Sequence, residues 1–303
     1  MRWAFAVVAC LLAAAAAGQV ATVTLMEGPA GMVRGTTRYA LAEGVRLQPG
    51  DIIEVSDKGL MEIEFADGVA LAMSPGTRML SISAPRGKSA AGDYYVVQGA
   101  LKLSGVKQDS SFRFVTPIFT LQPVEGTTVF TVASGEGSVF VEGGEARLTE
   151  PGSRAKGAAA PAPLRLKGGE YYTRKAEQPK GVVAPRPSQA FIATLPRIFL
   201  DPLPSRMARY KEREVQPKRI DEVSYAEVEP WMKAPQDIRR PMVARFRSLV
   251  SDPAFRAALV ANLKFHPEWD PVLFPEKYKP KEPADPKGAF RKVPAPARPG
   301  GTQ

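Results

Sequence analysis

Residues 112–148 read FRFVTPIFTLQPVEGTTVFTVASGEGSVFVEGGEARL. Apolar side chains fall at Phe112 and Phe114, at Phe119 and Leu121, and at Val139 and Val141, with polar or small residues mostly between them. This alternation is the pattern of strands with one buried face. Gly126, Gly135, Gly137, Gly143 and Gly144 interrupt it and predict turns, where glycine tolerates positive φ. The stretch predicts the closing half of a small all-β barrel or roll, and no chemistry is visible in it.

Upstream the same pattern repeats. Residues 21–25 predict a first strand, followed by a turn across 27–31 containing Gly28 and Pro29. Over 41–55, Gly44 and Gly50 predict tight corners and Asp51 is placed to bond the backbone just beyond itself. Residues 61–65 (MEIEF) alternate strictly, and Asp67-Gly68 predicts a hairpin turn into 69–73. That alternation points Glu62 and Glu64 outward as a solvated face. A strand begins at Met79, and residues 84–93 predict an exposed loop. Strands over 94–97 and 100–103 flank Gly99, and residues 106–111 predict a polar turn. About ten short strands with almost no helical periodicity predict a closed roll or barrel with protected edges.

In order, Leu41, Gly44, Leu47, Gly50-Asp51, Ile63-x-Phe65-x-Asp67-Gly68, Leu71, Pro75-x-Thr77, Gly99, Phe112-x-Phe114-x-Thr116-Pro117, Gly126-Thr127-x-Val129-Phe130-x-Val132 and Val139-x-Val141 resemble the FecR domain. That family takes its name from the periplasmic regulator of ferric citrate uptake. The resemblance covers residues 30–150. It implies a periplasmic β domain and carries over no catalytic residues. The regulators place a short cytoplasmic anti-sigma segment and one membrane helix before the domain. Here an apolar leader stands directly before the strands, so the chain resembles the stand-alone exported versions, and direct control of a sigma factor is not expected. Ile118-Phe119 follow Thr116-Pro117 where the family pattern has a small residue or glycine, which predicts a reshaped loop.

The leader, residues 1–18, reads MRWAFAVVACLLAAAAAG. One positive charge, an unbroken apolar run and small closing residues follow the plan of a secretory signal peptide, cleaved near Ala17, Gly18 or Gln19. The alternatives are an uncleaved anchor, for which the run is short, and a lipoprotein box ending at Cys10. Cleavage would leave no membrane span and a periplasmic or secreted protein. Cys10 is the chain's one cysteine, so the mature chain forms no internal disulfide.

Charge and proline are unevenly spread. Residues 180–303 hold 19 of the 29 prolines and carry 23 Lys+Arg against 14 Asp+Glu, whereas residues 1–179 have 18 against 17. The basic character therefore belongs to the C-terminal segment, and it points to an acidic partner or to a solvated basic surface. Residues 151–164 are low-complexity and predict a linker, and Gly168-Gly169 predicts a terminal β hairpin over 166–173. From Phe191 apolar anchors alternate with prolines, a pattern that lies along a surface. Residues 225–229 predict a short helix ending before Pro230. Helices over 242–250 and 253–265, the second opened by Asp252 and Pro253, predict a small helical hairpin. It docks on the β domain or on a partner.

His266, Glu268 and Asp270 form the one histidine–carboxylate cluster. A metal site needs about three or four ligands in defined geometry, and a lone histidine beside prolines at a helix end reads as a cap or packed side chain. One histidine and no Gly-x-Ser-x-Gly elbow argue against a triad hydrolase, and no phosphate-binding glycine loop occurs. Neither enzyme activity nor a cofactor is expected. Arg239, Arg240, Arg245, Arg247 and Arg256 crowd the predicted hairpin as candidate contacts for phosphates or carboxylates. Their partner would be an anionic envelope polymer such as peptidoglycan, or lipid head groups; export argues against nucleic acid. The alternative is a solvated basic face.

The sequence thus predicts a mainly β protein. A signal peptide (1–18) precedes a FecR-like roll or barrel (19–150) and a low-complexity linker with its hairpin (151–190). A Pro-rich, basic segment with a helical hairpin (191–278) and a disordered tail (279–303) complete it. The expected role is an exported, non-enzymatic binding or scaffold protein of the bacterial envelope, contacting a protein or glycan. The alternative is a periplasmic signalling component acting through a separate membrane partner.

Overall fold

A computed structural model describes residues 21–83, 91–151, 162–201 and 203–279. Residues 1–20, 84–90, 152–161, 202 and 280–303 lie outside the described residues, and with them the predicted leader, the tail from 280 and most of the loop predicted over 84–93, whose last three residues are strand. The chain is mainly β, with short helices toward the C-terminus. Seven short strands come first: β1 (Thr22–Glu27), β2 (Ala30–Arg34), β3 (Thr37–Ala40), β4 (Ile52–Val55), β5 (Leu60–Glu64), β6 (Ala70–Met73) and β7 (Arg78–Ser83).

β8 (Ala91–Val106) closes the roll. A straight strand of its 16 residues would be about 50 Å long. Yet its first residues pair in parallel with β9 (Ser111–Val115), from Ala91↔Ser111 to Tyr95↔Val115. A connection from Val106 to Ser111 reaches only about 18 Å, so β8 must curl around the core. It does so at Gly99 (φ 120°) and Gly105 (φ 73°). A Cβ at Gly99 would lie 2.3 Å from Thr77 Oγ1, so only glycine fits there. The two strands expected around Gly99 are therefore one, paired with β7 before the bend and with β6 after it.

β10 (Thr120–Ala133) and β11 (Glu136–Thr149) form one long hairpin turning at Ser134-Gly135. The glycines expected to be turns divide. Gly135 makes the turn, while Gly126 and Gly144 face each other at mid-ladder with φ of 84° and 85°. Gly137 and Gly143 are ordinary strand positions. β12 (Leu164–Lys167) and β13 (Tyr171–Lys175) both run antiparallel to β11, end to end. The hairpin expected there is instead one interrupted strand, and β14 (Val182–Ala184) pairs beyond it on β13. Residues 164–184, read as linker, thus extend the sheet.

The core lies inside the roll. Phe112, Phe114, Phe119, Leu121, Val139 and Val141 are all buried in it, as the alternation predicts. Their aromatic rings form a chain, with Phe65–Phe112 centroids 5.0 Å apart and Phe114–Phe130 4.9 Å.

The segment after β14 wraps the outside of the roll. α1 (Gln189–Thr194) and α2 (Arg197–Leu200) lay Phe191, Leu195 and Phe199 on a second apolar cluster with Ala72, Val129 and Tyr171. This is the outer face that carries Glu62 and Glu64. Expected to be solvated, they are 8% and 1% exposed because the segment covers them. The buried Lys102 donates to the Phe199 carbonyl at 2.5 Å and pairs with Glu142 at 2.7 Å. Glu64 accepts from the Arg206 amide at 2.7 Å and from the Ser205 hydroxyl.

The chain then adds β15 (Lys218–Glu222) beside β3 and turns into α3 (Tyr225–Met232), α4 (Gln236–Phe246), α5 (Pro253–Ala261) and α6 (Asp270–Leu273). These helices, with the turn Pro267–Trp269 before α6, bury Trp231, Phe246, Leu259 and Trp269 against Val33, Ile52, Leu80 and Tyr95 on the other outer face. The helical segment docks on the β domain. α3 runs through Pro230, and α4 begins at Gln236 and runs through Pro241. A proline there deprives the carbonyl four residues earlier of its helical donor; Ala226 and Asp237, whose carbonyls are affected, are exposed residues. Asp252 caps α5 as predicted, accepting from the Phe255 amide at 2.7 Å, with Pro253 first in the helix.

Candidate functional site

The helices cover only part of their outer face. The uncovered part is an open cleft of about 630 Å³ across β2, β3, β4 and β7. Its floor follows from the strand register. Gln98 lies opposite Arg78, Arg78 opposite Glu54, Glu54 opposite Gly31, Gly31 opposite Ala40, and Ala40 opposite Lys218. Directly opposed residues share a face, so a single row crosses six strands. Its two smallest residues, Gly31 and Ala40, lie side by side between Glu54 and Lys218, which leaves room above β2 and β3.

Polar groups border the cleft. Arg78 Nε lies 3.5 Å from Glu54 Oε1, and Gln98 Nε2 donates to the Gly76 carbonyl at 3.0 Å. Arg38 pairs with Glu227 of α3 at 2.5 Å, fixing the helical wall to β3. Ser56, Asp57, Tyr39 and Ile220 complete the lining. Burial pushes the Glu54 carboxyl above its ordinary value, with Glu227 adding to the shift and Arg78 and Arg38 opposing it. Among the described residues, neither Glu54 Oε1 nor Ser56 Oγ makes a hydrogen bond although both atoms are buried. Such groups favour a partner that brings its own donors. The cleft offers acids, guanidinium groups, a hydroxyl and an amide, suited to holding a polar chain.

The five arginines singled out from sequence are not brought together as one anion site. Arg245 is spent inside the fold, donating to the carbonyls of Gly35 at 2.8 Å, Val33 at 2.8 Å and Gly50 at 2.5 Å. Burial lowers its guanidinium to about 10, so it stays charged at neutral pH. Arg239 grips Glu268 through both oxygens at 2.9–3.0 Å, and Arg256 donates to the Leu273 carbonyl at 2.7 Å. Arg240 and Arg247 are exposed.

His266 is a packed residue, 1% exposed, with Nε2 2.9 Å from the Tyr225 hydroxyl. Burial lowers its pKa and pushes Tyr225 up to about 12. Among the described residues no group of three or more His, Cys, Asp or Glu is arranged to hold a metal, and no helix is long and apolar enough to cross a membrane.

Sequence reading missed the cleft because its residues come from six separate strands. The one local sign was Glu54, a lone carboxylate inside the apolar run 52–55.

No family model matches the chain, and no curated protein matches it. Among solved structures, two crystal structures of a "putative anti-sigma factor" from Parabacteroides distasonis are similar to it, each at 14% identity and a TM-score of 0.38. Each match covers 47% of this chain and less than two thirds of the neighbour, 63% and 62% of its length. A likeness at that level carries no functional argument.

Proposed function

We propose that this chain is an exported, non-enzymatic binding or scaffold protein of the bacterial cell envelope, and that it holds a protein or glycan partner in the cleft of Glu54, Arg78 and Arg38. The observation that carries this reading is the Gln98–Arg78–Glu54–Gly31–Ala40 row, which floors an open cleft with charged and polar groups on it. Export rests on the apolar leader. A periplasmic β domain rests on the sequence resemblance to the FecR family. A contact with an anionic polymer such as peptidoglycan would fall to Arg240 and Arg247, because Arg239, Arg245 and Arg256 have internal partners.

The test is a crosslinking capture from envelope extract with the mature chain and with Glu54→Ala/Arg78→Ala. A partner held by the first and lost by the second supports the reading; equal capture by both removes the cleft from the function. The second reading, a signalling component working through a separate membrane partner, also draws on the FecR resemblance. It predicts a transcriptional response on deletion of the gene.

A further inference from the structure

β15 is the last strand of the sheet. It pairs with β3 on one side, and no described strand pairs on the other. All five of its residues are exposed, Ile220 to 53%. An edge of this kind is a template for another strand. Proteins often blunt such edges with charge and bulges, and β15 has both, including a register break against β3 between Arg219 and Glu222.

The order of the charges is what distinguishes this edge. The strand reads Lys218-Arg219-Ile220-Asp221-Glu222, two cations, one apolar residue, two anions. Against an antiparallel copy of itself centred on Ile220, Lys218 meets Glu222, Arg219 meets Asp221, and Ile220 meets Ile220. All four charged positions of each strand then face an opposite charge. A slip of one residue leaves two of the four so paired. A slip of two sets Arg219 against Arg219 or Asp221 against Asp221. An in-register parallel arrangement opposes like charges at every charged position. Opposite-charge pairs directly across two strands stabilise and like pairs destabilise. Among its pairings with a copy of itself, the charge order therefore favours the antiparallel register centred on Ile220.

We propose that β15 is a self-association edge, which pairs antiparallel with β15 of a second copy of this chain about a two-fold axis through Ile220. Such a contact is isologous, as in most homodimers. It is also small and charge-dominated, so it is reversible and weakened by salt. Ile220 lines the cleft, so pairing would set the two clefts side by side across the axis. The inference stands on the edge strand alone and holds whether or not the cleft has a partner.

The experiment is sedimentation equilibrium of the mature chain across a concentration series at low and high salt. It is repeated for Lys218→Glu/Arg219→Glu, for Asp221→Lys/Glu222→Lys, and for their equimolar mixture. Melting temperatures check that the exposed substitutions leave the fold intact. The wild type should dimerise at low salt and dissociate at high salt. Each double variant should weaken association by tenfold or more, and the mixture should restore it as a heterodimer. A wild type that stays monomeric at low salt overturns the proposal. So does a dimer indifferent to both charge reversals, or a mixture that fails to associate.

Discussion

Ser205 donates its hydroxyl to the carboxylate of Glu64, a residue 141 positions earlier in the chain. The neighbouring Arg206 amide donates to the other oxygen of the same carboxylate at 2.7 Å. One buried side chain thus fastens the wrapping segment to β5 at two points.

Replacing Glu64 with alanine should release that fastening. Two donors lose a charged acceptor, at a cost of about 2 kcal/mol. Trypsin should cut after Arg206 faster in the variant, and amide exchange at Arg206 should rise. Unchanged cleavage and exchange would mean that the apolar anchors hold the segment without the carboxylate.

Glu62 lies two residues away under the same cover. Burial raises its pKa, and the nearby Glu64 carboxylate raises it further. Its folded value therefore lies above its unfolded one. The ionised form costs stability at pH above the raised value, and the cost falls away as pH drops through it toward 4.5, the ordinary value. Glu62→Gln should raise the melting temperature at neutral pH, with the gap to wild type closing in acid. A gap that widens in acid would reverse the sign of this argument.

Glu268 has the opposite sign. The hydrogen bonds from Arg239 hold its pKa below the ordinary value. The pair's stabilisation is complete above pH 4.5 and is lost as pH falls through the depressed folded value. Arg239→Ala should cost about 2 kcal/mol at neutral pH, since the pair is bidentate and mostly shielded from water. Denaturant melts of wild type and variant should converge at low pH.

Arg245 donates to three carbonyls of the β domain from helix α4. Arg245→Ala leaves those carbonyls without their donors and should destabilise by about 3 kcal/mol. Arg245→Lys should recover only part, because one ammonium does not reproduce a planar fork. Full recovery with lysine would show that charge, rather than geometry, sets the contact.

The inward alternation of Phe112, Phe114, Phe119 and Leu121 was legible because strand periodicity is local. So were the Asp67-Gly68 turn and the Asp252 cap. The covering of Glu62 and Glu64 was not, since the alternation says only that they leave the inner core. What lies on the outer side is decided by a segment far along the chain. The helices through Pro230 and Pro241 were missed for a related reason: packing of Trp231 and Phe246 outweighs a local helix-breaking preference. The cleft was hidden because opposition of Glu54 to Gly31 and Arg78 is a fact of pairing, not of spacing.

The wrapping segment also sets the order in which the fold can finish. Arg245 binds Gly50, Gly35 and Val33 across separations of 195, 210 and 212 residues, and β15 completes an edge begun by β3. These contacts join the first strands to nearly the last elements made. Closure over such separations is slow. Until it happens, Val33, Ile52, Leu80 and Tyr95 stay uncovered on one side of the roll and Val129 and Tyr171 on the other. A newly made chain therefore presents two adhesive faces, one until α1 and α2 arrive and the other until α3 to α6 do, and a chain cut short before α4 never hides the latter.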